Sequence, residues 1–106
     1  MKIGVVISSN DPETVWNALR FAIFSLNQKD NVKVFFMGKG VEYQSVGNNQ
    51  FNTVEQAEKF TSAGGKLYAC GTCIKSRHQA ESALCPISTM KDMYDIVKES
   101  DKVVTF

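Results

Sequence analysis

The chain has 106 residues, of which 43% are hydrophobic and 22% charged, and its formal net charge is +1. This length predicts a single domain over residues 1–106, and the balanced charge argues against nucleic acid or an anionic membrane as a partner. No apolar run approaches the ~20 residues of a membrane-spanning helix. The short apolar start is followed directly by Ser-Ser-Asn-Asp instead of a signal-peptide cleavage site, so a cytoplasmic location is expected.

The first part of the chain predicts two buried strands separated by one long helix. Residues 3–7 form a continuous apolar, β-branched run, as in parallel sheets that are buried on both faces. Asn10 or Asp11 can cap a helix over residues 12–28, with a proline near its first position. Residues 32–37 predict the second strand, which ends at a Gly-Lys-Gly turn.

Two phenylalanines fall outside the predicted buried face of this helix. At about 100° per residue, one broad apolar face is formed by Val15, Trp16, Ala18, Leu19, Ala22, Ile23 and Leu26. Phe21 and Phe24 lie off that face and would leave apolar surface exposed on a monomer. Either a subunit interface or a neighbouring loop is expected to cover them.

The second part of the chain alternates again between helices and strands. Thr53 can cap the second helix, which ends before a Gly-Gly pair, and Ser88 can cap the last helix. The segment after the cysteine turn is either a short helix or irregular. The predicted elements are residues 41–52 (irregular), 53–63 (helix), 66–69 (strand), 74–83 (short helix or irregular), 89–99 (helix) and 102–106 (strand).

This order of elements predicts an α/β fold, a three-layer α/β/α sandwich with a mostly parallel, flavodoxin-like sheet. Strands that alternate with helices pair in parallel through right-handed crossovers, which place helices on both faces of the sheet. Sites in such sheets form beyond the carboxyl ends of the strands. Residues 8–11, 38–43 and 70–73 follow three of those ends, so we expect them to lie close together.

The motif that can carry chemistry is Cys70-Gly71-Thr72-Cys73, directly after the third strand. The thiolate is the reactive form of cysteine, and a helix that starts near Thr72 would lower the thiol pKa through its free N–H groups and positive dipole end. Lys75 and Arg77 add nearby positive charge. The candidate catalytic residues are therefore Cys70 and Cys73, and the candidates for binding the substrate are Asn10, Gly71, Thr72, Lys75 and Arg77.

Other interpretations of the cysteines remain open at this point. A dithiol oxidoreductase would use the CxxC spacing, although the motif lies late in the chain and has no proline before its second cysteine. Cys70, Cys73, His78 and Cys85 could form a Cys₃His zinc site, but their spacing is irregular, so no metal is predicted. The thiols could also be inert packed groups, the interpretation favoured for Cys85, and His78 is expected to be solvated. No GxGxxG or GxxxxGK[ST] sequence indicates a nucleotide cofactor, and none is predicted.

Two segments resemble the DsrE/DsrF-like, TusD-related sulfur-relay family. They are VFFMGKGV at residues 34–41 and YACGTC at residues 68–73, the latter with Arg77 downstream; the opening KIGVVI and the Asp-Pro-Glu helix start match more weakly. The resemblance spans nearly the whole chain and implies a DsrE-like fold. Position for position, Cys70 corresponds to the cysteine that carries sulfur as a persulfide in the family. Cys73 resembles the extra cysteine of a CGTC subgroup.

The resemblance implies a sulfur-relay protein, and therefore a possible sulfurtransferase. Cys70 would accept a sulfane sulfur from a donor protein and pass it to an acceptor protein. The resemblance also implies a homo- or hetero-oligomer, in agreement with the off-face Phe21 and Phe24, and a homo-oligomer (a dimer, trimer or hexamer) is predicted. Two alternatives stay open: a non-catalytic oligomeric binding module for a small anion or partner protein, and a dithiol redox protein that uses both cysteines.

Overall fold

The computed structural model describes residues 1–79 and 84–106. Within these residues, five parallel strands form one sheet in the order β4-β3-β2-β1-β5. The strands are β1 (Lys2–Ile7), β2 (Asn31–Phe36), β3 (Lys66–Cys70), β4 (Ile87–Ser88) and β5 (Lys102–Thr105). The predicted α/β class and parallel sheet are confirmed, whereas β4 was not predicted, because two residues are too few to show a periodic pattern.

Helices cover the sheet from both faces, as the alternating order of elements requires. The helices are α1 (Pro12–Asn27), α2 (Tyr43–Val46), α3 (Thr53–Ser62), α4 (Gly71–Ser76) and α5 (Met90–Glu99), with a 3₁₀ helix (Gly38–Glu42) between β2 and α2. α1 and α3 pack against each other over one face. α5 lies over the other face, so close to β1 that a Cβ on Gly4 would lie 2.9 Å from the Ile96 side chain.

α1 forms where the sequence places it because its start is well capped. The carboxylate of Asp11 accepts hydrogen bonds from the Thr14 N–H at 2.9 Å and the Thr14 hydroxyl at 3.0 Å, and a proline occupies the first helical turn. The buried face consists of Val15, Ala18, Leu19, Ala22 and Ser25. Trp16, predicted on that face, is only half-buried; its ring lies edge-on to Phe51, with the Arg20 guanidinium 4.4 Å from the ring centroid.

Two predicted helix starts shift once side chains compete for capping positions. Asn52, not Thr53, caps α3, since its side chain accepts the Glu55 N–H at 3.0 Å while Thr53 is fully buried. Thr89, not Ser88, caps α5 through a reciprocal capping box with Asp92.

The segments before α3 and after β3 also differ from the prediction. Residues 41–52 were predicted to be irregular, but they contain the end of the 3₁₀ helix and the whole of α2. α4 begins immediately after Cys70, earlier than the predicted segment 74–83, whose last four residues lie outside the described part. Within the residues that the structure describes, no helix has the length and hydrophobicity to cross a bilayer.

Candidate functional site

The turns that follow β1, β2 and β3 meet at the carboxyl edge of the sheet. After β2, the Gly38 N–H donates to the Cys73 sulfur at 3.2 Å. Asn10, after β1, donates from its amide nitrogen to Glu42 at 3.4 Å, and Arg77, at the end of α4, donates from Nε to the same carboxylate at 2.7 Å. The predicted convergence of three segments is therefore confirmed, and polar contacts hold the segments together.

A glycine allows the 3₁₀ helix to sit directly on the end of β1. A Cβ on Gly40 would collide with the carbonyl of Ile7, so no side chain fits there. The Met37 N–H donates to that same carbonyl at 3.0 Å, and the Gly40 N–H donates to the Met37 carbonyl at 2.9 Å. This close approach sets the position of the Gly38 N–H and the Glu42 carboxylate beside the cysteine turn.

Cys70 and Cys73 are free thiols that lie near each other, close enough for Cys70 to act on the pKa of Cys73. Cys70 ends β3 and occupies the N-cap position of α4, where it is 7% exposed. Cys73 lies in the first turn of α4 and is half-buried. Of the two sulfurs, that of Cys73 is therefore the more accessible from solvent.

The environment of Cys73 favours its protonated form. Burial raises the pKa of the Cys73 thiol, and the hydrogen bond with Cys70 raises it further, whereas the Gly38 N–H and Arg77 act in the opposite direction. The expectation of a lowered thiol pKa is thus wrong for Cys73. α4 has only six residues, and Arg77 is already paired with Glu42, so neither compensates for desolvation. At neutral pH Cys73 is held as a thiol.

Cys85 is a buried thiol that does not belong to the Cys70–Cys73 pair. It is 2% exposed, and burial raises its pKa to about 12, although a hydrogen bond with Tyr43 acts in the other direction. The Tyr43 ring stacks on Phe36 with the centroids 4.2 Å apart.

His78 is exposed on the turn after α4. Within the described residues, no three or more His, Cys, Asp or Glu side chains are grouped to hold a metal ion.

The five candidates for substrate binding occupy different places in this edge. Asn10 and Arg77 meet at the Glu42 carboxylate. Gly71 packs against β4 so closely that a Cβ would lie 2.8 Å from a side-chain carbon of that strand. Thr72 and Lys75 are exposed on α4. The structure thus groups two of the five into one polar cluster and leaves the other three on α4.

Sequence reasoning missed Glu42, the residue that joins the polar cluster. Hydrogen bonds from Arg77 and then Asn10 lower the pKa of the Glu42 carboxyl, so it is charged at neutral pH. Glu42 lies in the segment predicted to be irregular and is 35 residues from Arg77 along the chain. No local pattern signals a pairing over such a separation.

Comparison with known proteins agrees with the sequence motifs. The model of the DsrE/DsrF-like family matches residues 1–106. The chain belongs to the DsrE/DsrF-like family. It is 36% identical to an uncharacterised protein of Methanopyrus kandleri, over 98% of this chain and 93% of that protein. It is 33% identical to an uncharacterised protein of Methanocaldococcus jannaschii, over 100% of both.

Solved structures place this DsrE/DsrF-like chain in the expected fold. The crystal structure of the ychN protein from E. coli superposes with a TM-score of 0.83 at 24% identity, and covers 100% of both chains. A conserved protein of unknown function from Bacteroides thetaiotaomicron superposes with a TM-score of 0.79 at 16% identity, covering 99% of this chain and 94% of that one. At such identities the likeness establishes the DsrE-like fold.

Proposed function

We propose that this DsrE/DsrF-like chain is a sulfur-relay protein that carries sulfur as a persulfide on Cys70. The observation that carries the proposal is the contact between the Cys70 and Cys73 thiols at the edge of the sheet where three turns meet. Family membership supports the same role. A donor protein would supply the sulfur and an acceptor protein would remove it.

The transfer needs only thiolates and persulfides. The Cys70 thiolate attacks the outer sulfur of a donor persulfide, the donor S–S bond breaks, and the donor thiolate leaves and takes a proton. An acceptor thiolate then attacks the outer sulfur on Cys70 and releases Cys70 as a thiolate. Alternatively, the Cys73 thiolate attacks the inner sulfur, forms a Cys70–Cys73 disulfide and releases hydrosulfide.

The candidate binding residues would support the anionic sulfur along this route. Gly71 and Thr72 form the first turn of α4, directly after Cys70, and Lys75 adds an exposed positive charge on the same helix. Arg77 and Asn10 lie at the mouth of the site but donate to the Glu42 carboxylate, so they would reach the sulfur only if that carboxylate moved. A terminal persulfide sulfur is anionic near neutral pH, so donors and positive charge at this edge would stabilise it.

Intact mass measurement tests the proposal on the unmodified protein. After reduction and exposure to glutathione persulfide, we expect the chain to gain the mass of one sulfur atom, and dithiothreitol should remove it. Protein whose accessible thiols are first blocked with iodoacetamide is the control and should gain nothing. If the reduced protein gains no sulfur although its thiols are reactive, the relay proposal is wrong and a non-catalytic binding module becomes the better description.

A dithiol redox protein is the second candidate, favoured by the same thiol contact. Such a protein would exchange a Cys70–Cys73 disulfide with substrate disulfides and would take up no sulfur. The mass measurement separates the two candidates. A loss of two hydrogens on oxidation, with no sulfur gained from a persulfide donor, would favour the redox protein.

We also propose that the chain assembles with copies of itself beside the β5 edge of the sheet. Within the described residues β5 pairs only with β1, so its outer edge is open. Exposed apolar side chains lie on the two helices that pack on the neighbouring strand β1: Phe24 on α1, and Met90 and Tyr94 on α5, are each 62% exposed. Phe21 is 39% exposed, and its ring lies 6.1 Å from that of Phe106, so only one predicted off-face phenylalanine is partly covered.

Light scattering after size-exclusion chromatography tests this assembly. We expect the mass in solution to be a multiple of 11.8 kDa, and expect Tyr94→Arg to lower it, because a charge would be buried at the contact. Lys29→Glu, which alters another exposed position, should leave the mass unchanged. A monomeric wild-type protein at high micromolar concentration would contradict the proposal.

A further inference from the structure

The Glu42 carboxylate occupies the donors that line the mouth of the thiol site. One oxygen accepts from Arg77 Nε at 2.7 Å, and the other accepts from the Asn10 amide at 3.4 Å. The Arg77 guanidinium also donates to the Cys73 carbonyl at 3.3 Å, which places this ion pair against the backbone of the cysteine turn. The two side chains of the ion pair are only 28% and 29% exposed.

These donors are of the kind that bind small anions. A guanidinium and an amide N–H beside a backbone N–H suit an oxyanion or an anionic sulfur species. The Gly38 N–H already points at the Cys73 sulfur, and Lys39 adds an exposed positive charge close enough to favour the charged form of Glu42. The chain therefore brings its own anion into a cluster that would otherwise attract anions from solution.

We propose that Glu42 is a specificity-determining residue that fills this anion site and keeps small sulfur oxyanions away from the thiol pair. A thiosulfate or sulfite ion would have to displace a carboxylate that two donors hold in place. The inference itself concerns only the electrostatic charge beside Cys73. Its consequence for the choice of sulfur donor rests on the proposed function. Sulfur would then arrive from a persulfide instead of from a free sulfur oxyanion such as thiosulfate.

Alkylation with two reagents of different charge tests this proposal. Iodoacetate and iodoacetamide both alkylate the Cys73 thiolate with loss of iodide, so the ratio of their rates reports the local charge and not the thiolate fraction. Peptide mass spectrometry assigns the rates to Cys73. We expect Glu42→Gln, which keeps the shape and removes the charge, to raise the iodoacetate-to-iodoacetamide ratio roughly fivefold at low salt. The effect should shrink at 1 M salt.

Matched variants distinguish charge at the site from a general effect. Glu58→Gln makes the same change on the exposed surface of α3 and should leave the ratio unchanged. Arg77→Met leaves Glu42 without its ion-pair partner and should lower the ratio, whereas the double variant Glu42→Gln/Arg77→Met should return it close to the wild-type value.

The proposal is overturned by an unchanged ratio in Glu42→Gln, or by an equal rise in Glu58→Gln. In either case Glu42 would only tie the turns together. Arg77→Met lowers the ratio through its own lost charge, so if Glu42→Gln fails to fold, the double variant decides the question: its ratio should exceed that of Arg77→Met, and an equal ratio would overturn the proposal. None of these readouts uses sulfur loading. A wild-type protein that never acquires a persulfide would reject the relay function and would leave the test of Glu42 intact.

Discussion

A Cys70→Ser variant is expected to take up no sulfur from glutathione persulfide, whereas wild-type protein gains one sulfur atom. The serine hydroxyl is not ionised at neutral pH and forms no persulfide. Cys70 occupies the N-cap of α4 without making a side-chain capping bond, and serine is a favoured residue at that position. The variant should therefore fold as well as wild type, so the loss of loading reports chemistry. Intact mass spectrometry with a circular dichroism spectrum makes the measurement.

Two further serine variants give this experiment its controls. Cys85→Ser should load like wild type, because Cys85 is buried and not part of the thiol pair. Cys73→Ser should load and then hold the sulfur longer, since the thiol that releases hydrosulfide is missing. The opposite pattern, loading that persists in Cys70→Ser and disappears in Cys73→Ser, would move the assignment to the more accessible thiol.

The parts of the fold that the sequence predicts are those with long, uninterrupted patterns. β1 and β2 are six-residue apolar strands, and α1 ends within one residue of its predicted end. β4 has only two residues and is recognised by its pairing with β3, which is a tertiary property. Which of two neighbouring polar residues caps α3 or α5 is likewise decided by packing, because burial of one leaves the other free to accept the backbone N–H.

The same distinction, between features set by local pattern or topology and features set by tertiary contacts, applies to the candidate site. Topology predicts that the three turns meet, because carboxyl ends of parallel strands share an edge. No local sequence pattern indicates that Glu42 forms an ion pair with Arg77, since the two residues lie 35 positions apart. It also predicts the wrong direction for the pKa of Cys73, because local charge is visible in a sequence and desolvation is not.

Gly40→Ala is expected to lower the free energy of unfolding by about 3 kcal/mol, at the upper end of the range for overpacking. The new Cβ would meet the carbonyl of Ile7, a backbone group that cannot rotate away as a side chain could. The 3₁₀ helix would have to lift from the end of β1. Urea denaturation followed by circular dichroism measures the change. An unchanged slope of the free energy of unfolding against urea concentration would show that the same structure unfolds in the variant.

Gly38→Ala separates steric collision from backbone strain in the same turn. Gly38 has a positive φ of +54° with nothing within 4 Å of its would-be Cβ, so alanine should cost only about 1 kcal/mol of left-handed strain. If Gly40→Ala costs no more than this, close packing on Ile7 does not hold the turn. If it costs more, movement of the turn should also withdraw the Gly38 N–H from Cys73. Iodoacetamide should then reach Cys73 faster in Gly40→Ala than in wild type, because the edge that encloses the thiol has opened.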